Sequence, residues 1–319
     1  FDKIFIFTQN EHEVETLFGT CFFPFLGTYI EYHNFNVDLI TSCPKESYTP
    51  KNYNGLHTHY WETYWLAKTY SILQTDFCRN KHKEQQEKFT EIKYPFVMLN
   101  NRTHKFRAML VDYMAKAQIL DKGAVSWNNT DPFLLNGYKF EYFDGNTRIL
   151  DSTYKTDQGG QYNVPDEYYM SFAQLISEST PKKVFLSEKI NMALLLGKPF
   201  LAAGAPGIHR YLHYELGMQY YDEIFDYSFD EELDMEKRWQ MIIDNFVRLS
   251  TYSLPQLEEL KRKMHDKIMY NKSRVIKIVH DTSFMPKPIL DYFNDYKNST
   301  HEHRIHLNRH ISLIFETLL

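Results

Sequence analysis

The 319 residues lack several features that would assign a function at once, and each absence excludes something. No G-x-x-x-x-G-K-[ST] run is present, so the chain is not a P-loop nucleotidase. No G-x-G-x-x-G follows an apolar strand, which argues against a dinucleotide-dependent dehydrogenase. Cysteine is scarce: Cys21, Cys43 and Cys78 form no C-x-x-C pair, and an odd, scattered set reads as reduced thiols, not as a disulfide framework or a zinc site. There is no basic excess either. A net charge of −5 and a pI near 6.3 disfavour a protein built mainly to grip nucleic acid or an anionic membrane, although a local basic cleft remains compatible with them. No apolar run approaches the roughly 20 residues that span a bilayer. The chain begins at Phe1 and not at Met, so an upstream segment is expected to have been removed, and an N-terminal signal or anchor stays open.

Against only 12 Gly and 12 Pro stand 24 Tyr and 24 Phe, enough aromatic surface to fill a core and still offer rings to a ligand. With 43% hydrophobic and 24% charged residues the chain is globular, and its length suits two domains. Four N-x-S/T triplets begin at Asn101, Asn128, Asn271 and Asn298; they matter only in a secreted protein.

Apolar runs closed by polar turns predict strands near Lys3–Phe7 and Val37–Ile40. His57 to Leu73 is rich in Trp and Tyr and reads as a turn leading into an aromatic helix. Lys81 to Lys88 is almost wholly polar, a solvated helix or linker, and the domain boundary is placed there. From Pro95 the pattern becomes regular. A strand over 95–99 and a polar turn at Asn100–Thr103 lead to a helix with Phe106, Leu110, Tyr113, Met114 and Ala117 on one face, then a strand from Ala124 to Trp127. Further strands are expected at Phe172–Ser177 and Phe200–Ala203, with a helix from Ser187 to Leu196 between them. Gly204–Gly207 turns into a helix carrying Ile208, Tyr211 and Leu212. Two more helices are marked by Trp239 to Val247 and by Leu257 to Ile268, and the charged last ~30 residues are expected to be helical. The predicted organisation is an N-terminal α/β lobe (1–90), a C-terminal Rossmann-like lobe (91–285) and a helical tail (286–319).

The chemistry concentrates in Phe172 to Gly204. A strand ends at Glu178, a polar loop follows, and a helix opens at Ser187-Glu188-Lys189. In open α/β sheets ligands lie beyond the carboxyl ends of strands, against helix N-termini, whose amides and partial positive charge suit a pyrophosphate. Lys189 adds a full charge in the first turn, and Glu188 is an acceptor for ribose or sugar hydroxyls. Arg102 and Arg107 sit at the start of the earlier helix, where a guanidinium can clamp a diphosphate. Each feature also has a plainer reading: Ser-Glu-Lys is ordinary capping chemistry, Arg102, His104 and Arg107 can be a solvated helix start, and Glu178 a strand-end polar residue.

This segment resembles the donor-binding region of the α1,3-fucosyltransferases and of related bacterial and viral glycosyltransferases. There a strand ending in Glu-Asn leads to a Thr-Glu-Lys triplet, an apolar helix and a Pro–apolar–Gly strand end. The present chain has Glu178-Ser179, Ser187-Glu188-Lys189, and Pro199 through Gly204. The resemblance implies a GT-B-like α/β fold of two Rossmann-like lobes with a cleft between them. It also implies metal-independent transfer with inversion, from a nucleotide-diphosphate sugar, such as a GDP-linked one, to a glycan or other hydroxyl acceptor. The donor would be held by Arg102, Arg107, Glu178, Ser187, Glu188, Lys189 and Gly204, with an arginine, Arg107 before Arg102, on the diphosphate. The absence of Asp-x-Asp, the carboxylate pair that grips a divalent ion on the donor, agrees with a site that uses no metal or other cofactor. The catalytic base is expected to be Glu11, after the first strand, ahead of Glu13, Glu31 and Glu62. The expected location is cytoplasmic, in a bacterial cell or an infected host. His57-x-His59 with Glu62, and His303, His306 and His310, have metal-like spacing but are better explained by local structure. Two alternatives keep other partners in play: transfer to a modified base in DNA, and a non-catalytic carbohydrate-binding protein.

Overall fold

The structure is a computed structural model and describes residues 4–8, 37–41, 56–60, 65–66, 69, 72–73, 80, 82–100, 104–128, 135–150, 164–178, 181 and 184–298. The chain divides into two compact units, Phe1–Ser71 with Lys277–Leu319, and Ile72–Ile276. The division falls between Ser71 and Ile72 and between Ile276 and Lys277.

In the first unit, β1 (Ile4–Thr8), β2 (Val37–Thr41) and β3 (Leu56–Tyr60) form a parallel sheet in the order β1-β2-β3, with Val37 paired to both Ile4 and Leu56. β3 corrects the sequence reading of a turn: His57 and His59 lie two residues apart along a strand. His57 is exposed.

The second unit is a four-stranded parallel sheet flanked by helices. Its elements begin with α1 (His82–Lys88), β4 (Tyr94–Met98), α2 (Lys105–Lys116), β5 (Ala124–Val125), α3 (Asp166–Tyr169) and β6 (Ser171–Ser177). They continue with α4 (Glu188–Leu195), β7 (Phe200–Ala203), α5 (Ile208–Tyr214), α6 (Met235–Leu249) and α7 (Leu254–Lys263). Helix α8 (His265–Val279) then runs past the division, and α9 (Lys287–Asn298) in the first unit buries Ile289 and Phe293, four residues apart on one face.

The strand order is β5-β4-β6-β7, with Val97 opposite Ala124 and Gln174, and Gln174 opposite Phe200. Every residue of β6 and β7 is buried, which is why both read as apolar runs without alternation. The one long polar side chain inside β6, Gln174, accepts a hydrogen bond from the Tyr168 hydroxyl at 2.9 Å. Lys198 is also buried. Its ammonium donates to the carbonyls of Tyr168 and Ser171, tying the start of β6 to the approach to β7.

Packing follows the pattern seen in the sequence, with two differences. In α2 the buried residues are Arg107, Ala108, Met109, Leu110, Val111, Asp112 and Met114, while Phe106 and Tyr113 are half-buried. Phe106 meets Trp239 of α6 edge-on at 5.8 Å. The expected single helix over Leu257–Ile268 is two helices, because the backbone leaves helical geometry at Met264, the last buried residue before the turn. Beyond β5 the chain is held by Asp112 of α2. Its carboxylate accepts from the Tyr138 hydroxyl and from the backbone N–H groups of Glu141, Tyr142 and Phe143 at 2.7–3.0 Å. Burial alone would raise the Asp112 pKa, but these four donors outweigh it and hold the pKa below the ordinary carboxylate value.

Candidate functional site

From β4 the chain crosses to β5 on one side and later to β6 on the other. The order therefore reverses between β4 and β6, and the crevice beyond their carboxyl ends is where such sheets take ligands. Three residues knit this edge. The Asn100 side chain donates to the Ser126 carbonyl at 3.0 Å and accepts from the Ser177 hydroxyl at 3.0 Å, and its backbone N–H donates to the Ser126 hydroxyl at 2.9 Å. The ends of β4, β5 and β6 are thus locked in one polar clasp, with Asn100 only 1% exposed.

Immediately beyond lies Glu178, 3% exposed. One carboxylate oxygen accepts from the Ser187 hydroxyl at 2.7 Å. The other is 3.6 Å from the Lys189 ammonium and accepts no hydrogen bond among the described residues. Ser187 is the N-cap of α4, and its hydroxyl oxygen accepts from the Lys189 backbone N–H at 3.2 Å. Lys189 also lies 3.6 Å from Glu188, so its ammonium sits between two carboxylates. Burial pushes the Glu178 carboxyl above its ordinary pKa, against the opposing pull of Lys189, the Ser187 hydroxyl and Arg107; Glu188 adds to the rise.

Gly204, at the end of β7, allows the close approach. A side chain there would put its Cβ 3.3 Å from Glu178 Cβ and 3.4 Å from Glu178 Cγ. The Gly204 carbonyl accepts from buried Arg238, whose guanidinium also donates to the carbonyls of Glu232, Leu233 and Pro181 and so pins the β6–α4 loop to the start of α6.

The structure therefore gathers Arg107, Glu178, Ser187, Glu188, Lys189 and Gly204 at one edge of the sheet. Arg102, Glu11, Glu13, Glu31, Glu62, His303, His306 and His310 lie outside the described residues. The geometry differs from an open cationic pocket in two respects. The cap Ser187 already occupies one first-turn amide of α4, and the two carboxylates balance Lys189 and Arg107 in formal charge. Arg107 is 5% exposed, whereas the side chains of Lys189 and Glu188 are 23% and 27% exposed. Among the described residues, Lys189 is thus the cation best placed to meet a ligand.

Two groups escaped the sequence reading. Asp230 accepts from the backbone N–H groups of His209 and Arg210, so the start of α5 is closed by a carboxylate from a distant turn. His209 is buried and accepts from the Ala202 backbone N–H at 2.9 Å; burial drives its pKa down to about 4, so it is neutral at physiological pH. Neither carries a local signal, since the cap and the capped helix are some twenty residues apart. Asn100 did carry one, standing where an apolar strand ends in a polar turn.

A cavity of about 20 Å³ lies beside Phe200 at the amino end of β7, lined by His209, His213, Tyr220, Tyr227 and Asn271. It has room for about one water molecule. Among the described residues no group of three His, Cys, Asp or Glu is placed to hold a metal, and no helix is long and apolar enough to cross a membrane. No family model matches the chain, and searches of curated proteins and of solved structures each return no significant match.

Proposed function

We propose that the protein is a glycosyltransferase that uses a nucleotide-diphosphate sugar, with a GT-B-like pairing of two Rossmann-like lobes. The observation that carries this reading is the convergence of Arg107, Glu178, Ser187 and Lys189 beyond the reversal point of a parallel sheet, where α/β folds take nucleotides. The resemblance of Phe172–Gly204 to the α1,3-fucosyltransferase donor region supports the choice of chemistry.

In this reading the donor pyrophosphate lies at the first turn of α4 against the Lys189 ammonium, with the buried Arg107 charge behind it. Glu188 accepts from a ribose or sugar hydroxyl. The bond between the sugar carbon and the diphosphate oxygen breaks, and the carbon passes through an oxocarbenium-like state. Negative charge grows on the leaving diphosphate, where Lys189 lowers the barrier most. An acceptor hydroxyl forms the new bond from the opposite face and gives its proton to a carboxylate, for which Glu11 is the candidate. The acceptor is a glycan or another hydroxyl compound, and the protein acts in the cytoplasm without a metal.

A thermal-shift series with GDP, UDP, ADP and CMP tests the reading. One nucleoside diphosphate at 100 times its Kd should stabilise the protein by about 2.7 kcal/mol. No shift with any of them up to millimolar concentration would contradict it.

A further inference from the structure

Lys189 cannot meet an anion without leaving a buried carboxylate. Its ammonium is 3.6 Å from Glu178, whose side chain is 1% exposed and whose second oxygen has no hydrogen-bond donor among the described residues. An anion at the first turn of α4 competes with Glu178 for this charge. If the ammonium swings toward the ligand, the carboxylate stays behind in a low-dielectric site without its nearest counter-ion. A buried carboxylate in that position takes up a proton instead of remaining ionised.

We propose that Glu178 is a positioning residue that couples anion binding at the mouth of α4 to proton uptake, by holding Lys189 in a resting clasp that the ligand must open. This rests on the proposed donor site and adds to it a reserve state: Lys189 is paired internally until a diphosphate arrives. The groups facing Glu178 are Ser187, Glu188 and Lys189 of the α4 start and Arg107 of α2; Arg238 faces the adjoining Gly204 carbonyl. Arg107 and Arg238 keep their charge across the accessible range. Burial raises the Glu178 pKa, which makes it the carboxylate of this group that takes up a proton as pH falls.

The sign follows from the exchange. Protonating Glu178 releases Lys189, so anion affinity rises as pH falls. Its neutral form still accepts from Ser187, and the cap on α4 is kept.

The test uses sulfate, which does not titrate in this range, with binding measured by isothermal titration at constant ionic strength from pH 8 to pH 5.5. Wild-type affinity should rise about 3- to 10-fold on acidification, because each pH unit can contribute up to a factor of ten when one proton is taken up per ligand. Titrations in buffers of different ionisation enthalpy should show uptake of a fraction of a proton. Glu178→Gln should bind sulfate at pH 8 as tightly as wild type does at pH 5.5, with no pH dependence and no proton uptake. Glu188→Gln should keep both. A pH-independent wild-type affinity, or loss of the effect in Glu188→Gln in place of Glu178→Gln, would overturn the proposal. The buffer comparison needs only the wild-type protein, so it decides even where Glu178→Gln fails to fold. Intact sulfate coupling without binding of any nucleoside diphosphate would count against the donor-site reading alone.

Discussion

Lys189→Ala should weaken nucleoside diphosphate binding by about 10- to 100-fold, which is the loss of one charge-assisted contact of about 1.5–3 kcal/mol. The effect is large because Lys189 is the accessible cation of the cluster among the described residues, while Arg107 is buried. Turnover should fall as well, since the leaving diphosphate gains charge in the transition state and its partner would be missing. The substitution also leaves Glu178 without its nearest positive charge, so a structural explanation has to be separated from a binding one. Lys189→Arg does this: it restores the charge and should recover most of the affinity, while a protein merely loosened by the change would not discriminate between ligands. Isothermal titration of wild type, Lys189→Ala and Lys189→Arg, alongside their melting temperatures, reads both quantities. Equal affinities in wild type and Lys189→Ala would remove the role given to this residue.

Gly123→Ala should lower the melting temperature by about 2–12 °C, although alanine is the smallest possible addition. A Cβ at position 123 would lie 2.2, 2.4 and 2.6 Å from three ring atoms of Phe96. Phe96 cannot simply step aside. It is fully buried in the central strand β4 and meets Phe246 of α6 edge-on at 5.1 Å. Overpacking a fixed ring costs about 1–3 kcal/mol, and in a unit of this size each kcal/mol moves the melting temperature by roughly 2–4 °C. Phe96→Leu in the same background should return part of the loss, because the smaller side chain makes room for the new methyl. Differential scanning calorimetry of the single and double variants checks this, and a Gly123→Ala protein as stable as wild type would contradict the packing described around β4.

The parallel strands of the second unit were legible because burial on both faces leaves continuous apolar runs, and polar or glycine turns mark their ends. Phe200–Ala203 coincides with β7, and the Ser187 cap with the start of α4. Strand β3 was not legible: Leu-His-Thr-His-Tyr alternates apolar and polar residues too briefly to stand out from the aromatic stretch that follows. Nor was the break at Met264, since the apolar spacing continues through it while the backbone does not. The site was half legible. Residue types and their order named Glu178, Ser187 and Lys189, but not that Glu178 turns inward and takes the cap hydroxyl, which makes the mouth of α4 charge-balanced. That depends on Gly204 admitting the Glu178 side chain and on Arg238 pinning the loop, both contacts across long stretches of sequence.

A crystal structure with a bound nucleoside diphosphate tests the central claim most directly. The account predicts the pyrophosphate at the first turn of α4, within hydrogen-bond reach of the Lys189 ammonium, with the 3.6 Å pairing to Glu178 lengthened. A diphosphate bound elsewhere on the chain, with Lys189 still seated between Glu178 and Glu188, would contradict it.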